Sequence, residues 1–399
     1  MGERNTTMIT CVKIKDFRSI KTAEVPLTPL TVLVGRNGSG KSNFVDALRF
    51  VADALNLTLP TAMEKRGGPG AVRRKNPRGH PTHFVIRVEG EAGNGETRCL
   101  FHYVFDVKAL KPYGFEVAHE ECKVAPCGGP LSPLFFKVEN GQFETSVSGV
   151  RPSTDATRLT FPAIGGQREF APVFQLLTRM RFYTMSPDAL RELQKPDEGS
   201  DLKSDGSNLA SVVRELSRSS PKAHEALCEH LSQVVPGIQG VAAVPKGNML
   251  TMSFKQSLRQ DEALHFEALN MSDGTLRVLG LLAASYLEPC PSLIALEEPE
   301  ATIHPGALAT LTDALKEAST RTQVLLTTHS PELLDQFKGH EVDLLRAVEL
   351  RDGMTTISAV APHTRQLVYD GLFRAGELLK ANGLDSDEPV DRQTGLFEL

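Results

Sequence analysis

Apolar residues recur in two rhythms along this chain. Near the start TCVKIKDF (10–17) alternates, as a half-buried strand does, and LTVLV (30–34) is a short continuous apolar run of the kind that crosses a buried sheet. From Ser42 onward Phe44, Leu48, Val51, Ala52 and Leu55 recur at helical spacing, which predicts an amphipathic helix. EKRGGPGAVRRKNPRGHP (64–81) breaks both rhythms with Gly, Pro and basic residues and reads as a mobile surface loop. Beyond it HFVIRVEG, CLFHYVFDV, GFEVAHEECKV and SPLFFKVENG place β-formers between Gly, Pro and Asn punctuation, predicting an antiparallel meander.

A mixed region follows, with helices expected over 172–181 and 208–235 and strands near 239–244 and 249–254. No heptad repeat is sustained, so long coiled-coil arms are not expected. The final third is the most regular. PSLIALEEPE is an apolar strand ending in acids, Leu308, Leu311 and Leu315 line one helical face, and TQVLLTTHSP is a second apolar strand. Strand, helix, strand in that order implies a right-handed parallel unit with its chemistry at the carboxyl edge.

At 399 residues the chain can bury a sizeable core, and 40% apolar with 23% charged residues suits a soluble globular protein. No apolar run reaches membrane-spanning length and no secretory leader pattern opens the chain, so a cytoplasmic location with no membrane partner is expected. The six cysteines fall without CxxC spacing, which favours reduced thiols. A net charge of −5 gives no overall basic footprint, so contact with DNA or RNA would rest on a local patch such as Lys65 to Arg78, for which a solvated loop is the plainer reading.

The motif with the clearest chemistry is GRNGSGKS, Gly35 to Ser42, between a predicted strand and a predicted helix. Its glycines Gly35, Gly38 and Gly40, with Asn37 and Ser39, would turn backbone N–H groups and a helix N-terminus toward phosphates. Lys41 would reach the β and γ phosphates and Ser42 would ligate Mg²⁺; Asn43 completes the set of nucleotide-binding candidates. Glu297 and Glu298 end the apolar strand LIALEE, the first as a candidate metal ligand and the second as a candidate general base. His329 ends the neighbouring strand as a candidate γ-phosphate contact, followed by Ser330 as a helix cap. In ALNMSDGTLRVLG, Ser272 with Gly274 forms a second anion-ready helix start. One reading is plain capping of a buried helix; the other is two copies meeting head to tail, each offering Ser272 to the nucleotide of the other.

GRNGSGKS, MSDGTLR, LEEPEATIHP and TTHSPELL, in this order, resemble the ABC-type ATPase heads of the RecF, SMC and OLD group. The resemblance covers about residues 8–55 and 265–335. It implies an α/β P-loop NTPase fold of ABC-head type, a mixed sheet with an antiparallel β subdomain and a helical insertion. The lobes are expected at 1–165, 166–262 and 263–399, the last carrying the signature motif, the acids and the histidine. It further implies ATP and Mg²⁺ as cofactors, a homodimer or higher oligomer closed over ATP, and Arg18 in KIKDFRSIK as a nucleotide contact. Glu297 departs from the more usual Asp, and the Q-loop has only Gln167 as a candidate beside an ordinary surface role. No acidic-cluster nuclease domain is expected after His329, so the head resembles subunits that serve a separate nuclease or effector, often in phage defence. The rival readings are a RecF-like DNA-binding repair ATPase, a transporter ATPase, and a GTPase, the last disfavoured by the lack of an NKxD string.

Overall fold

The computed structural model describes residues 7–75, 79–110, 114–127, 132–259, 262–288, 290–301, 303–381, 383–384 and 386–387. In chain order its elements begin with β1 (Met8–Phe17), β2 (Ile20–Pro26), β3 (Leu30–Val34), α1 (Lys41–Asn56), α2 (Leu59–Glu64) and α3 (Pro69–Val72). The meander follows as β4 (His83–Ala92), β5 (Cys99–Ala109), β6 (Phe115–Pro126), β7 (Leu134–Glu139) and β8 (Gln142–Thr145), then α4 (Phe161–Ile164) and α5 (Ala171–Thr178). Next come β9 (Met180–Tyr183), α6 (Pro187–Arg191), α7 (Leu209–Ser219), α8 (Pro221–Val234), β10 (Ile238–Lys246), β11 (Met249–Arg259) and β12 (Glu262–Glu267). The chain ends through α9 (Asp273–Ser285), β13 (Leu293–Glu297), α10 (Leu308–Ala318), β14 (Gln323–Thr328), α11 (Pro331–Leu334), β15 (Leu345–Arg351), β16 (Met354–Ala359), α12 (Pro362–Tyr369) and α13 (Ala375–Lys380).

Two compact units emerge. The first comprises Met1–Met180, Asp343–Arg365 and Leu384–Leu399, the second Arg181–Val342 and Gln366–Gly383. In the first, Val12 and Ile14 are buried while Lys15 is exposed, which is the alternation that makes β1 a strand. Its strands run in the order β8-β7-β6-β5-β4-β1-β2-β16-β15-β3. From β8 to β2 the neighbours are antiparallel; β16 then joins β2 and β15 joins β3 in parallel, with β15 and β16 forming an antiparallel hairpin between them. The hairpin turns at Asp352-Gly353, both at positive φ, the two-residue turn that matches strand twist.

Aromatic side chains fill the space between this sheet and its helices. Phe50 of α1 sits edge-on to Phe17 and Phe84 at 5.8 and 5.6 Å, and the cluster continues through Phe105, Tyr103, Phe161, Phe136 and Phe170. Each such buried ring contributes about 1.5–3 kcal/mol by leaving water. Through Phe50, α1 is pinned to the sheet, and the residues ahead of it inherit that position.

Over its described residues 64–75, the basic stretch is not the irregular loop its composition suggests. Residues 59–64 and 69–72 are helical, Arg73 bridges to Phe17, and the cations find partners. Arg66 donates to both oxygens of Asp46 at 3.0 Å and to Asp53 at 3.0 Å, Lys65 pairs with Asp53 at 3.2 Å, and Arg74 pairs with Asp16 at 2.7 Å. Charges engaged in this way are tied to α1 and β1. Residues 76–78 of the proposed patch lie outside the described residues.

In the second unit β13 and β14 pair in parallel, as the strand-helix-strand pattern requires, and β9 flanks β13; β10, β11 and β12 form a separate antiparallel sheet. The expected helix over 208–235 is two helices, because Pro221 cannot continue the ladder and starts α8 instead. The helix expected to reach Arg181 stops at Thr178 and gives way to β9. Near the C-terminus α13 docks on α11: a side chain at Gly376 would stand 2.1 Å from the Pro331 carbonyl, and Gly376 N–H donates to Asp335 at 3.0 Å. Among the described residues no helix is long and apolar enough to cross a membrane.

One buried acid ties the meander to α4. Glu120 of β6 is fully buried, accepts from Tyr103 Oη at 2.8 Å, and receives the N–H groups of Thr160 and Phe161 at 2.5 and 3.1 Å. Burial pushes its carboxyl up to about 7, although these hydrogen bonds oppose the shift. An acid whose folded pKa is raised contributes stability at low pH that is lost as pH rises from its unfolded value toward 7. Glu120→Gln removes that titration, so the melting temperature of wild type falls relative to the variant between pH 5 and 8. Parallel melting curves over that range would refute the assignment.

Candidate functional site

The phosphate loop grows out of β3, all five of whose residues are buried. Gly35 follows where a Cβ would stand 2.1 Å from the Val348 carbonyl oxygen, so no other residue fits against β15. Arg36, Asn37 and Gly38 are exposed, and a Cβ placed on Gly38 would meet nothing within 4 Å. Ser39 N–H closes the turn on Arg36 O at 3.1 Å, and the buried Ser39 hydroxyl has no hydrogen-bond partner. Gly40 caps α1 at φ 104°, after which Asn43 and Phe44 N–H groups return to its carbonyl.

Lys41 is only 5% exposed, and its ammonium donates to the carbonyls of Gly35 at 2.6 Å and Arg36 at 3.0 Å. Ser42 stands exposed in the first helical turn. That turn has no acidic residue, so the positive end of the helix dipole is left to favour an external anion. An open arc of backbone, an orphaned hydroxyl and a buried ammonium at a helix start suit a phosphate chain. Arg18 sits at φ 50° and pairs with Asp46 of α1 at 2.8 Å, sharing that carboxylate with Arg66.

In the second unit β13 ends at Glu297, half-buried and paired in register with Thr327. Glu298 follows at φ 47°, in the left-handed region that glutamate seldom visits, and directly before Pro299. Its N–H donates to Thr327 O at 3.0 Å, and its Oε1 lies 3.0 Å from His329 Nδ1. The strained turn therefore aims the carboxylate at the histidine that ends the adjacent strand. Beside them Glu300 accepts from Thr328 Oγ1 at 2.5 Å, and Thr328 Oγ1 accepts Ser330 N–H at 3.0 Å. Burial raises the Glu300 pKa against the Thr328 bond. Sequence reasoning passed over Glu300 and Thr328, whose bonds hold the turn that presents His329.

Ser272 caps α9, accepting Thr275 N–H at 3.2 Å, with Gly274 in the same first turn. Arg191, at the end of α6, pairs with Asp273 of that turn and donates to Met271 O at 3.4 Å. The Ser272 turn is thus braced from a neighbouring helix that the sequence did not single out. Gln167 is exposed, and its carbonyl accepts N–H groups from Phe170 and Ala171, a turn role.

Magnesium prefers a few carboxylate or hydroxyl ligands completed by phosphate oxygens. Among the described residues no group of three or more His, Cys, Asp or Glu could hold a metal ion by itself. In the first unit the exposed Ser42 hydroxyl, and in the second the strand-end Glu297 carboxylate, are each oxygen donors of the kind such an ion takes.

Two family models match the chain. One, described as "AAA ATPase domain", covers residues 8–91, and the other, "AAA domain, putative AbiEii toxin, Type IV TA system", covers 189–335. The Old nuclease of Escherichia phage P2 is 20% identical over 357 residues, 82% of this chain and 57% of that protein. The DNA replication and repair protein RecF of Streptomyces avermitilis is 31% identical over 88 residues, 21% of this chain and 24% of that one. The chain thus spans little more than half of the first relative and a quarter of the second. Among solved structures, an SMC head bound to the C-terminal winged-helix domain of ScpA superposes with a TM-score of 0.56 at 12% identity, covering 89% of this chain and 99% of that one. At that identity the likeness is one of fold.

The packing of Gly40 gives a direct test. A Cβ there would stand 2.0 Å from Thr355 Oγ1 and would also force a side chain into positive φ. Gly40→Ala is expected to cost about 2 kcal/mol or more in denaturant unfolding. Gly38→Ala faces open space and is expected to cost about 1 kcal/mol, for its positive φ alone. Equal losses at the two positions would contradict the contact.

Proposed function

Because the chain has the ABC-type ATPase-head fold of the RecF, SMC and OLD group, we propose that it binds and hydrolyses ATP and works as a closing dimer that switches a nucleic-acid-processing partner. The observation that carries this reading is the buried Lys41 ammonium at the start of a helix whose first turn is otherwise free of acids. Lys41 and the loop N–H groups hold the nucleotide's phosphates. Ser42 in the first unit and Glu297 in the second are each proposed as a ligand for Mg²⁺, which when bound supplies positive charge against phosphate oxygens.

Glu298 is the general base for the attacking water. Its carboxylate lies at hydrogen-bond distance from His329, so the two groups can share a proton and hold a common orientation. Their exposure of 39% and 43% leaves both open to an incoming phosphate. Ser272, at the start of α9, meets the nucleotide of a second copy, and ATP thereby becomes the joint between subunits. The likeness to the phage P2 Old nuclease and to a family described by a toxin and a type IV TA system supports a role in conflict between bacteria and phage, with a separate nuclease or effector as partner.

The alternative is a RecF-like DNA-binding repair ATPase, supported by the 31% identity to RecF over 88 residues. Against it, Arg73 is occupied with the carbonyls of Pro69 and Pro81, and Arg74 with Asp16. A salt-dependent gel shift by the isolated protein, weakened when Arg73, Arg74 and Lys75 are neutralised, would favour the alternative.

Glu298→Gln should keep ATP binding while lowering turnover by about 10² to 10⁴ and trapping the dimer on ATP, as read by phosphate release and by light scattering. Lys41→Ala should weaken nucleotide binding itself. Turnover unchanged in Glu298→Gln would remove Glu298 from its role. In the trapped background, replacing Ser272 with a bulky residue is expected to return the protein to monomer; a dimer that survives would mean that Ser272 only caps its helix.

A further inference from the structure

Residue 355 lies more than three hundred positions from the phosphate loop, yet its side chain touches the loop backbone. Thr355 is the second residue of β16 and is 1% exposed. Its Oγ1 donates to Ser39 O at 2.9 Å and lies 2.6 Å from Ser19 Oγ, which in turn accepts from Asn43 Nδ2 at 2.6 Å. Thr355 N–H is also bonded to Ser19 O at 2.9 Å.

A hydroxyl has one proton. The Thr355 proton is directed to Ser39 O, so Ser19 must donate to Thr355, and Asn43 to Ser19. The result is a one-way relay from the amide of α1, through the tip of the β1–β2 hairpin, to the loop carbonyl. Each bond in such a chain polarises the next. The hairpin tip is held at a conformational cost, since Arg18 has positive φ.

A trans peptide sets its C=O and N–H on opposite sides. Fixing the Ser39 carbonyl toward Thr355 therefore turns the Gly40 N–H away from Thr355, and the absence of a Cβ on Gly40 is what lets the threonine come so close. We infer that Thr355 is a positioning residue for nucleotide binding, whose hydroxyl sets the orientation of the Ser39–Gly40 peptide in the phosphate loop. This rests on the nucleotide-binding reading above and adds the residue that presets the loop.

The test is a fluorescence titration of the full chain with a Mg²⁺-bound fluorescent ATP analogue, with melting temperatures measured on the same samples without nucleotide. Thr355→Val removes the hydroxyl at nearly constant shape and is expected to weaken binding by about tenfold. Thr355→Ser restores the donor and should bind within about threefold of wild type. Thr312→Val is the control: it deletes a buried hydroxyl that bonds Leu308 O within α10, and should lower stability without changing affinity. Should Thr355→Val fail to fold, Ser19→Ala breaks the relay one bond earlier and must still weaken binding. Wild-type affinity in folded Thr355→Val, or in Ser19→Ala where the valine variant does not fold, would overturn the assignment. Failure of the serine to rescue would do so too, by assigning the effect to packing. No binding by wild type would instead overturn the nucleotide reading itself.

Discussion

The orientation of one peptide, between Ser39 and Gly40, is the constraint on which the proposed nucleotide site depends. Its carbonyl is held by Thr355, its Gly40 side has no room for a Cβ, and Gly35 at the other end of the loop presses on the Val348 carbonyl. Both props come from the β15–β16 hairpin. That hairpin joins β3 and β2 in parallel, so the loop's shape is decided by contacts across three hundred residues of chain. Non-local pairing of this kind is slow to form. The loop therefore has its final geometry only where the hairpin is docked.

Electrostatics divide the remaining candidates by purpose. The Glu298–His329 pair is close to two-fifths exposed on both sides, where an ion pair contributes about 0–1 kcal/mol and solvent screens it. Stability does not account for the strained turn that brings the two together. The Asp46 carboxylate is the opposite case: half-buried, it receives Arg66 and Arg18 at once and knits α1 to α2 and to the first hairpin. Arg18 is thus a structural cation of the helix that carries Lys41, whatever contact it also makes.

Much of this was legible in the chain. Alternation and turn residues mark the meander β4 to β7, and the apolar runs mark β3, β13 and β14, because burial on one or both faces leaves a period that sequence displays. Helix starts at Ser272 and Ser330 were legible through capping chemistry, and α1 through the apolar spacing of Phe44, Leu48, Val51, Ala52 and Leu55. Composition misled at 64–75, where Lys65, Arg66 and Arg74, read as loop, pair with Asp53, Asp46 and Asp16 of α1 and β1. Thr355, Glu300 and Arg191 escaped notice because their roles are partnerships: each is an ordinary residue made specific by a neighbour that pattern alone does not bring near. The Asp352-Gly353 pair was a hairpin signal within reach.

Positive φ sorts these residues further. Among the described residues five non-glycines adopt it: Asp16, Arg18, Asn140, Glu298 and Asp352. Asn140 and Asp352 sit with Gly141 and Gly353 in two-residue hairpin turns, where a short polar side chain enters the left-handed region at little cost. Asp16 is of the same tolerant type, and Arg74 holds it in place. Arg18 and Glu298 are not, and each conformation is over-determined by bonds on both sides: Arg18 by Val72 O and Asp46, Glu298 by Thr327 O and His329. Strain of about 1–3 kcal/mol persists only where surroundings enforce it. The two residues that bear it lie at the turn supporting the phosphate loop and at the end of the acid-bearing strand. Backbone geometry and residue type alone thus set Arg18 and Glu298 apart from the other three.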